Sequence, residues 1–399
     1  MSQPESVTPA SIGIHDLALA TSHYRLDLGA LADHQGIDPA KYSVGIGQDV
    51  MSVLAPDEDI VTMAAEATAR ILERNGMDGI RTLLFATESG IDQSKSAGVY
   101  VHQLVGLPET VRVVELKQAC YSATAALQFA IGLIARDPSQ KVLVVASDVA
   151  RYDLGSSGES TQGAAAAAML VQANPGLMAV ANPAGVFTQD VMDFWRPNYR
   201  STALVDGKGS IKAYLNAIGG AWTDYLNQGG APFESFASIC YHQPFTKMAS
   251  KAHRHLAVMA GQNPAPAEVA DYLADTMRYN RLIGNSYTAS VYVALASLLD
   301  THDGDLTGAR VGLASYGSGS VAEFFGGVIQ PGYRDLLRVQ EHRSIIERRI
   351  PLDHTAYEVL HKTTLPEDGR EYRTAAETTG PFRFAGMGEH MRRYERTTD

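Results

Sequence analysis

The chain is poor in cysteine, in positive charge and in long apolar runs, and each shortage excludes a class of protein. Its two cysteines, Cys120 and Cys240, are too few for a disulfide-stapled secreted scaffold or a four-cysteine zinc site. Acidic residues number 44 against 33 basic ones, giving a formal net charge of −11, so no nucleic-acid or anionic-membrane partner is expected. The longest apolar run, at 164–171, is too short to span a bilayer.

What remains is the composition of a soluble globular protein, with 45% hydrophobic and 19% charged residues. The 399 residues suffice for one large domain or two ordinary ones. No basic region followed by an apolar stretch opens the chain, so we expect no signal peptide, a disordered tail at 1–11 and a cytoplasmic location.

Strands and helices are predicted to alternate along the chain, which indicates an α/β fold with mostly parallel sheets. In the first part, strands are expected at RTLLFATES, KVLVVASD and TQGAAAAAMLV, and helices at AGVYVHQLVGL and ACYSATAALQFAIGLIARD. In the second part we expect a strand at FASICYHQPF, one apolar helix at YNRLIGNSYTASVYVALASLLD, and a strand with a Gly/Ser loop at ARVGLASYGSGS. After Tyr333 the chain is more charged, and peripheral helices and loops are expected.

The two parts resemble each other, which predicts an internal duplication with halves at 12–174 and 175–399. The strand end at Glu88 then falls opposite His242, and the helix start at Cys120 falls opposite Asn285. Because no glycine- or proline-rich linker separates the halves, one continuous core is expected. Chance similarity between apolar helices is the alternative explanation.

Cys120 is the candidate nucleophile because it lies where an apolar helix is predicted to begin. Free N–H groups and the dipole at a helix N-terminus favour thiolate, so a lowered thiol pKa is expected here. The alternative is an inert core thiol, which is the expectation for Cys240 inside the strand ASICY.

A thiol nucleophile needs a partner that moves protons, and His242 and Glu88 are the candidates. His242 leaves a strand into a turn at Pro244, and strand ends in α/β sheets commonly carry catalytic groups. A carboxylate such as Glu88 is costly at the end of a buried strand unless it faces a cleft. His253 and His255, two apart on a predicted helix, point to different faces, so no metal site is expected.

Two further features have both a functional and a structural explanation. The Gly/Ser loop at 315–320 offers backbone N–H groups for an oxyanion, and a similar loop lies at 155–163. Neither matches a P-loop or a dinucleotide fingerprint, so no nucleotide cofactor is expected. Lys247, Lys251 and His255 are predicted to share one helix face. This face is either a cationic stripe that binds phosphates or an ordinary solvated surface.

Cysteine at a helix start, histidine at a strand end and Asn285 at the repeated helix start together resemble the thiolase superfamily. Within it, seven segments resemble 3-hydroxy-3-methylglutaryl-CoA synthase of the bacterial type: TESGID, ELKQACYSATAAL, GESTQGAAAAAM, DFWRPN, YHQPFTKM, GNSYTAS and SYGSGS. The resemblance runs from about Ile12 to the C-terminus. It implies a thiolase-like five-layered αβαβα fold of two duplicated halves and a homodimer.

The resemblance also implies a reaction and its residues. Acetyl-CoA and acetoacetyl-CoA would condense with water to 3-hydroxy-3-methylglutaryl-CoA and CoA in the mevalonate pathway, without cofactor or metal. Cys120 matches the residue that is acetylated, Glu88 the base that deprotonates the acetyl methyl group, and His242 the histidine that polarises the acetoacetyl ketone. Substrate contacts are expected from Asp38, Thr161, Ser210, Lys247, Lys251, Asn285 and Ser318. Supporting positions behind them are expected at Tyr121, Asp148 and Asp193.

Three alternatives remain open. A close relative performs β-branching on a polyketide bound to an acyl-carrier protein and keeps the same three chemical residues. A simple carrier-protein condensing enzyme is disfavoured because ketoacyl synthases and thiolases do not use a glutamate like Glu88. A non-catalytic acyl-CoA-binding scaffold is disfavoured because Cys120, Glu88 and His242 are all present.

Overall fold

A computed structural model describes residues 11–366 and 368–397, so the tail predicted at 1–11 lies, except for Ser11, outside the described residues. The strands are β1 (Ile12–Thr21), β2 (Tyr24–Asp27), β3 (Val50–Val53), β4 (Ile80–Ala86), β5 (Arg112–Leu116), β6 (Lys141–Ala150), β7 (Gly163–Ala173), β8 (Met178–Thr188), β9 (Phe194–Trp195), β10 (Leu204–Val205), β11 (Ser238–Tyr241), β12 (Arg310–Gly317), β13 (Val321–Ile329), β14 (Ile350–Pro351), β15 (Tyr372–Arg373), β16 (Phe382–Gly388) and β17 (Met391–Arg396). The helices are α1 (Leu28–Gln35), α2 (Ile60–Asn75), α3 (Ala97–Leu104), α4 (Ser122–Arg136), α5 (Gly207–Asn227), α6 (Met248–Met259), α7 (Pro266–Ile283), α8 (Ser290–Thr301), α9 (Val339–Glu347) and α10 (His354–Lys362). Across these described ranges, every helix is too short or too polar to cross a membrane.

The main sheet has nine strands in the order β11-β12-β13-β8-β1-β7-β6-β4-β5. The pairs β4–β5, β4–β6 and β11–β12 are parallel, whereas the other five pairs along this order are antiparallel. The prediction of mostly parallel sheets was therefore wrong. The reason is that β6 returns as β7, and β12 as β13, without a crossover helix, and strands joined in this way run antiparallel.

The sheet order confirms the duplication. The run β4-β6-β7-β1 in the first half has the same order and directions as β11-β12-β13-β8 in the second, and β5 extends the first half alone. The halves join where Gly13 pairs with Ala179 and Ile14 with Met178. A Cβ atom on Gly13 would lie 2.1 Å from the carbonyl oxygen of Met178, so this junction requires glycine.

Three apolar clusters divide the molecule into five layers. Helices α4 and α8 lie between the two halves of the sheet, in a cluster that draws on strands of both. Helices α2 and α3 cover the outer face of the first half, and α5 and α6 cover the outer face of the second. The layers are therefore αβαβα, and the predicted thiolase-like architecture is confirmed.

The single apolar helix predicted over YNRLIGNSYTASVYVALASLLD is in fact two helices. Helix α7 ends at Ile283, a 3₁₀ turn follows at Tyr287–Ala289, and α8 begins at Ser290. Gly284 at the break has φ +90°, and a Cβ there would lie 2.0 Å from the carbonyl oxygen of Gln162. The break is buried, so apolar periodicity continues through it and conceals it.

The break also shifts the match between the two helix starts. Ala119 and Tyr287 both have a φ of +44° and both lie three residues before the first residue of their helix, α4 or α8. On this backbone criterion Cys120 corresponds to Thr288, three positions after the predicted Asn285. The sequence alignment failed because small residues occur on both sides of the break.

The segment after Tyr333 was predicted to consist of helices and loops. It also contains strands β14 to β17, so this prediction was incomplete. It packs against the first half of the molecule: β14 pairs with β2, and α9 lies on β1. Buried ion pairs fasten it, with Arg338 Nη2 2.7 Å from Asp16 Oδ2 and Arg383 Nε 3.1 Å from Asp57 Oδ2. The first half is thus completed by the end of the chain.

Candidate active site

A cavity of about 140 Å³ opens where the two halves meet at their strand ends. Cys120 and His242 both line it, so the structure brings the predicted nucleophile and histidine to one space. Four of the predicted substrate contacts line the same cavity: Thr161, Ser210, Asn285 and Ser318.

Cys120 is placed by the tight loop that precedes α4, beginning with the positive φ of Ala119. Gly317, at the end of β12, allows that loop to approach, because a Cβ there would lie 2.5 Å from the carbonyl oxygen of Gln118. The cysteine is 6% exposed, and its Sγ lies 3.1 Å from Glu88 Oε2. Nucleophile and carboxyl group are therefore in direct contact.

This contact overturns the expected thiolate. Burial, followed by the charge of Glu88 and the hydrogen bond to it, raises the pKa of the Cys120 thiol well above its usual value. The helix start does not compensate, since α4 begins only at Ser122. In the free protein Cys120 is a thiol whose Sγ–H donates to Glu88.

Glu88 follows β4 and is only partly exposed. Burial first, and then the nearby charge of Asp148, raise the pKa of Glu88 to about 8, against the lowering effects of the Cys120 hydrogen bond and of Arg196. A carboxyl group that titrates near neutral pH is suited to both accepting and returning a proton.

Asp148, on β6, is fully buried behind Glu88. It accepts the backbone N–H of Glu88 at 2.9 Å and the hydroxyl of Thr87 at 2.7 Å. It also accepts both the backbone N–H and the hydroxyl of Thr288, from the second half. One carboxylate thus fixes the position of Glu88 relative to both halves of the molecule.

His242 follows β11 and is 1% exposed. Its backbone N–H donates to Ala314 at 3.0 Å, and its carbonyl accepts the hydroxyl of Tyr214 at 2.8 Å. Burial lowers the pKa of His242 to about 3, so the imidazole is neutral at physiological pH. Its Nδ1 has no hydrogen-bond partner among the described residues, which leaves the ring free to choose its tautomer for a ligand.

The two other predicted supporting residues have different surroundings. Asp193 accepts the hydroxyl of Tyr316 and, at 2.9 Å, the backbone N–H of Gly319, so it holds the Gly/Ser loop that carries Ser318. The hydroxyl of Tyr121 donates to Glu323 at 2.7 Å, and Tyr121 does not line the cavity.

Three of the predicted substrate contacts lie outside the cavity. Asp38 is in an exposed turn, where its carboxylate accepts the backbone N–H of Ala40 at 2.9 Å. Lys247 and Lys251 are exposed at the start of α6, whose Met248 does line the cavity. They can therefore meet only the part of a ligand that protrudes from the cavity.

His255 was predicted to share a cationic helix face with Lys247 and Lys251, but it does not. Its Nε2 packs against α5, 2.8 Å from where a Cβ on Gly219 would lie, and burial lowers its pKa. The periodicity placed it on the face of Lys251, but a neighbouring helix covers that end of the face.

Several charged residues next to cavity-lining positions escaped the sequence analysis. Arg196 donates to the carbonyl oxygen of Glu88, and only the quoted DFWRPN segment pointed to it. Lys208 and Lys212 are exposed at the start of α5, where Gly207 and Ser210 line the cavity. Their four-residue spacing at a helix start was the available signal.

An aromatic wall adjoins the sulphur and was also missed. Tyr152, Phe194 and Tyr287 cluster with Cys120, with ring centroids 6.0 Å apart for Tyr152–Phe194 and 5.8 Å apart for Phe194–Tyr287. These rings come from three distant segments, so no local pattern predicts them. They keep one side of the thiol apolar.

Comparison with known proteins identifies the family. The family profiles described as hydroxymethylglutaryl-coenzyme A synthase N terminal and C terminal match residues 8–175 and residues 181–265 and 259–354, respectively. The hydroxymethylglutaryl-CoA synthase of Enterococcus faecalis is 40% identical over 360 residues, covering 90% of this chain and 93% of that protein. The polyketide biosynthesis 3-hydroxy-3-methylglutaryl-ACP synthase PksG of Bacillus subtilis (strain 168) is 32% identical over 373 residues, covering 88% of each.

A solved structure agrees with these matches. A crystal structure of an HMG-CoA synthase complexed with CoA superposes with a TM-score of 0.92 at 37% identity, covering 97% of this chain and 100% of that one. With profiles matching both halves and a 40% identical relative, this chain belongs to the hydroxymethylglutaryl-CoA synthase family.

Proposed function

We propose that the protein condenses acetyl-CoA with acetoacetyl-CoA and water to give 3-hydroxy-3-methylglutaryl-CoA and CoA through an acetyl-Cys120 intermediate. The observation that carries this proposal is the 3.1 Å contact between Cys120 Sγ and Glu88 Oε2, beside a cavity that Cys120 lines together with a neutral His242. Membership in the hydroxymethylglutaryl-CoA synthase family supports it.

In the first step Cys120 attacks the thioester carbon of acetyl-CoA. Glu88 accepts the thiol proton directly, because the hydrogen bond between them already exists. The CoA sulphur leaves as its bond to the acetyl carbon breaks, and it takes the proton back from Glu88. The products are acetyl-Cys120, free CoA and an ionised Glu88.

In the second step the ionised Glu88 removes a proton from the acetyl methyl group, which now occupies the space beside it. The resulting carbanion attacks the ketone carbon of acetoacetyl-CoA, and the N–H of neutral His242 donates to the ketone oxygen as charge develops there. A neutral imidazole can fill this role because one of its two nitrogens carries an N–H that can donate. The alkoxide that forms takes up the proton held by Glu88, which restores the ionised carboxylate. Water then cleaves the Cys120 thioester: its oxygen bonds to the acyl carbon, one of its protons passes to the departing Cys120 sulphur, and the product is released.

Substrate binding divides into an inner and an outer part. Thr161, Ser210, Asn285 and Ser318 supply polar groups inside the cavity. Outside it, helices α5 and α6 both begin at the cavity, so their N-terminal N–H groups and their lysines can meet the CoA phosphates. These lysines are Lys208, Lys212, Lys247 and Lys251. A substrate contact at Asp38 stays a prediction.

The protein is proposed to act as a cytoplasmic homodimer in the mevalonate pathway. Two buried, unpaired cysteines suit a reducing compartment. Strand β5 ends the nine-stranded sheet, so one of its edges is unpaired among the residues that the structure describes. Val114 on β5 is 43% exposed and Phe129 on α4 is 59% exposed, which favours pairing of this edge with a second copy.

A thiol-release assay tests the proposal. Acetyl-CoA plus acetoacetyl-CoA should release free CoA with the native protein, and Cys120→Ala should abolish the release. Cys240→Ala is the matched control, because Cys240 is fully buried in β11 and should not affect turnover.

The relationship to PksG makes a carrier-protein substrate the second candidate. Presenting the same acetoacetyl group on a carrier protein and on CoA distinguishes the two. A higher kcat/KM for the carrier-protein substrate would reassign the protein to β-branching.

A further inference from the structure

One side of the active-site cavity is a largely irregular stretch between β6 and β7, residues 151–162, called the wall segment below. It contributes Tyr152, Gly158 and Thr161 to the cavity lining. Its only regular structure is a 3₁₀ turn at Glu159–Thr161. A stretch without α-helix or strand depends on its neighbours, as well as on its own turns, for its shape.

Helix α10 lies behind this wall, on the side away from the cavity. The hydroxyl of Tyr357, which is 1% exposed, donates to Glu159 Oε1 at 3.0 Å and accepts from Gln162 Nε2 at 2.8 Å. His361 Nε2 lies 2.8 Å from the carbonyl oxygen of Tyr152. The helix therefore holds both ends of the wall segment.

Gln162 connects these two attachments. Its Oε1 accepts the backbone N–H of Tyr152 at 2.8 Å and lies 3.2 Å from His361 Nε2. Tyr152 in turn packs in the apolar cluster that contains Cys120. A short chain of contacts thus leads from α10 to the nucleophile.

Glu159, in the wall segment, is a buried carboxylate whose burial costs free energy. It is 1% exposed, and within the described ranges no basic side chain lies within ion-pair distance of it. Its carboxylate is held by neutral donors: Tyr357, the backbone N–H of Gly155 at 2.7 Å, and Gln35 Nε2 at 3.3 Å. A buried carboxylate without a cation is expensive, so loss of one of its donors will displace it and the wall segment with it.

We propose that α10 is a positioning element for the thioester substrates, in which Tyr357 and His361 hold Tyr152 and Thr161 against the acyl group bound at Cys120. The inference rests on the proposed function. The two residues touch no reacting atom and act through the wall segment, so their removal should weaken substrate binding more than it slows the chemistry of Cys120 and Glu88.

Tyr357→Phe removes one hydroxyl and keeps the ring. The KM for acetyl-CoA should rise about fivefold or more, as expected for loss of a hydrogen bond to a charged group, with a smaller change in kcat. The matched control is Tyr333→Phe, because Tyr333 is also buried and its hydroxyl accepts the backbone N–H of Leu306 at 3.1 Å, outside the cavity lining. That variant should keep the native KM.

His361 provides a second, independent pair of variants. His361→Ala should raise the KM in the same way, and His361→Gln should restore much of it, since a glutamine amide can donate to the carbonyl oxygen of Tyr152. If Tyr357→Phe does not fold, this pair decides. Binding of acetyl-CoA in a Cys120→Ala background, measured by calorimetry, examines the wall segment without any turnover.

A native KM in both Tyr357→Phe and His361→Ala overturns the proposal. The proposal is also overturned if Tyr357→Phe and Tyr333→Phe show the same rise in KM and the same falls in kcat and melting temperature. In that case α10 would only stabilise the fold. If Tyr357→Phe or His361→Ala binds acetyl-CoA more weakly in the Cys120→Ala background, this supports the role of α10 even if the condensation assay fails. A native protein that releases no thiol overturns the proposed function instead.

Discussion

Replacing Glu88 by glutamine separates the two steps of the proposed reaction. Glutamine keeps the size and the hydrogen-bonding capacity of the side chain, but it cannot accept a proton at neutral pH. Glu88 takes part in both steps, first with the thiol of Cys120 and then with the acetyl methyl group. The two steps should nevertheless respond differently, because a thiol can ionise without help at high pH and a methyl group cannot.

The geometry gives the size of the effect. Two negative charges 3.1 Å apart, the distance from Cys120 Sγ to Glu88 Oε2, repel by about 5 kcal/mol at an effective dielectric constant of about 20. Thiolate and carboxylate therefore do not coexist at neutral pH. Glu88→Gln removes this repulsion and lowers the pKa of the Cys120 thiol, so acetylation should recover as pH rises.

Condensation should not recover. Loss of a positioned base typically reduces the rate by about 10² to 10⁴, and no other group described here contacts Cys120 as a carboxylate does. In the native protein, whose Glu88 has a pKa raised to about 8, kcat/KM for condensation should rise with pH through about 8 as the basic form appears. In Glu88→Gln that rise should be absent.

The assay follows radiolabelled acetyl-CoA into Cys120 by peptide mapping and, separately, thiol release on adding acetoacetyl-CoA, both across a pH series. Glu109→Gln, at an exposed glutamate, is the control for removal of one negative charge. A Glu88→Gln protein that condenses within about tenfold of the native rate would refute Glu88 as base. Equal losses in acetylation and condensation at every pH would refute the separation of the two steps.

Three further changes have defined outcomes. His242→Ala should weaken use of acetoacetyl-CoA while Cys120 is still labelled by acetyl-CoA; a variant that is not labelled but binds acetoacetyl-CoA normally would contradict the role of His242. Lys251→Ala should raise the KM for acetyl-CoA at low salt, with the difference shrinking at high salt as screening weakens phosphate attraction, and an unchanged KM would mean a merely solvated lysine. Ala119→Gly should increase the free energy of unfolding by about 1 kcal/mol in chemical denaturation, because alanine at a φ of +44° is strained, and a decrease would show that the loop prefers a side chain there.

The sequence was sufficient where local pattern and local structure coincide. Buried strands followed by a polar residue located Glu88 and His242 at strand ends, and a run of small apolar residues located Cys120 before a helix. Because the two halves repeat the same strand order, these three positions converge on one region. The wider motif resemblance predicted the five layers, which periodicity alone does not determine.

What the sequence could not supply depends on contacts across long separations. The thiol of Cys120 was expected to be acidic because of its helix start, yet its pKa is decided by burial and by Glu88, 32 positions away. The support of Glu88 by Asp148, and of Asp148 by Thr288, joins residues from both halves. Such pairs leave no mark in local periodicity.

The docking of the C-terminal segment on the first half has a consequence for synthesis. Asp16 and Asp57 are fully buried, and their partners Arg338 and Arg383 are made more than 300 residues later. While the chain is still emerging from the ribosome, Asp57 lacks its cation and Asp16 has only Arg74, at 3.3 Å, without Arg338, and a buried charge without its full partner set is strongly destabilising. The first half therefore cannot reach its native packing as translation proceeds. A nascent chain must wait for its last sixty or so residues, and premature termination leaves a product open to proteolysis or aggregation.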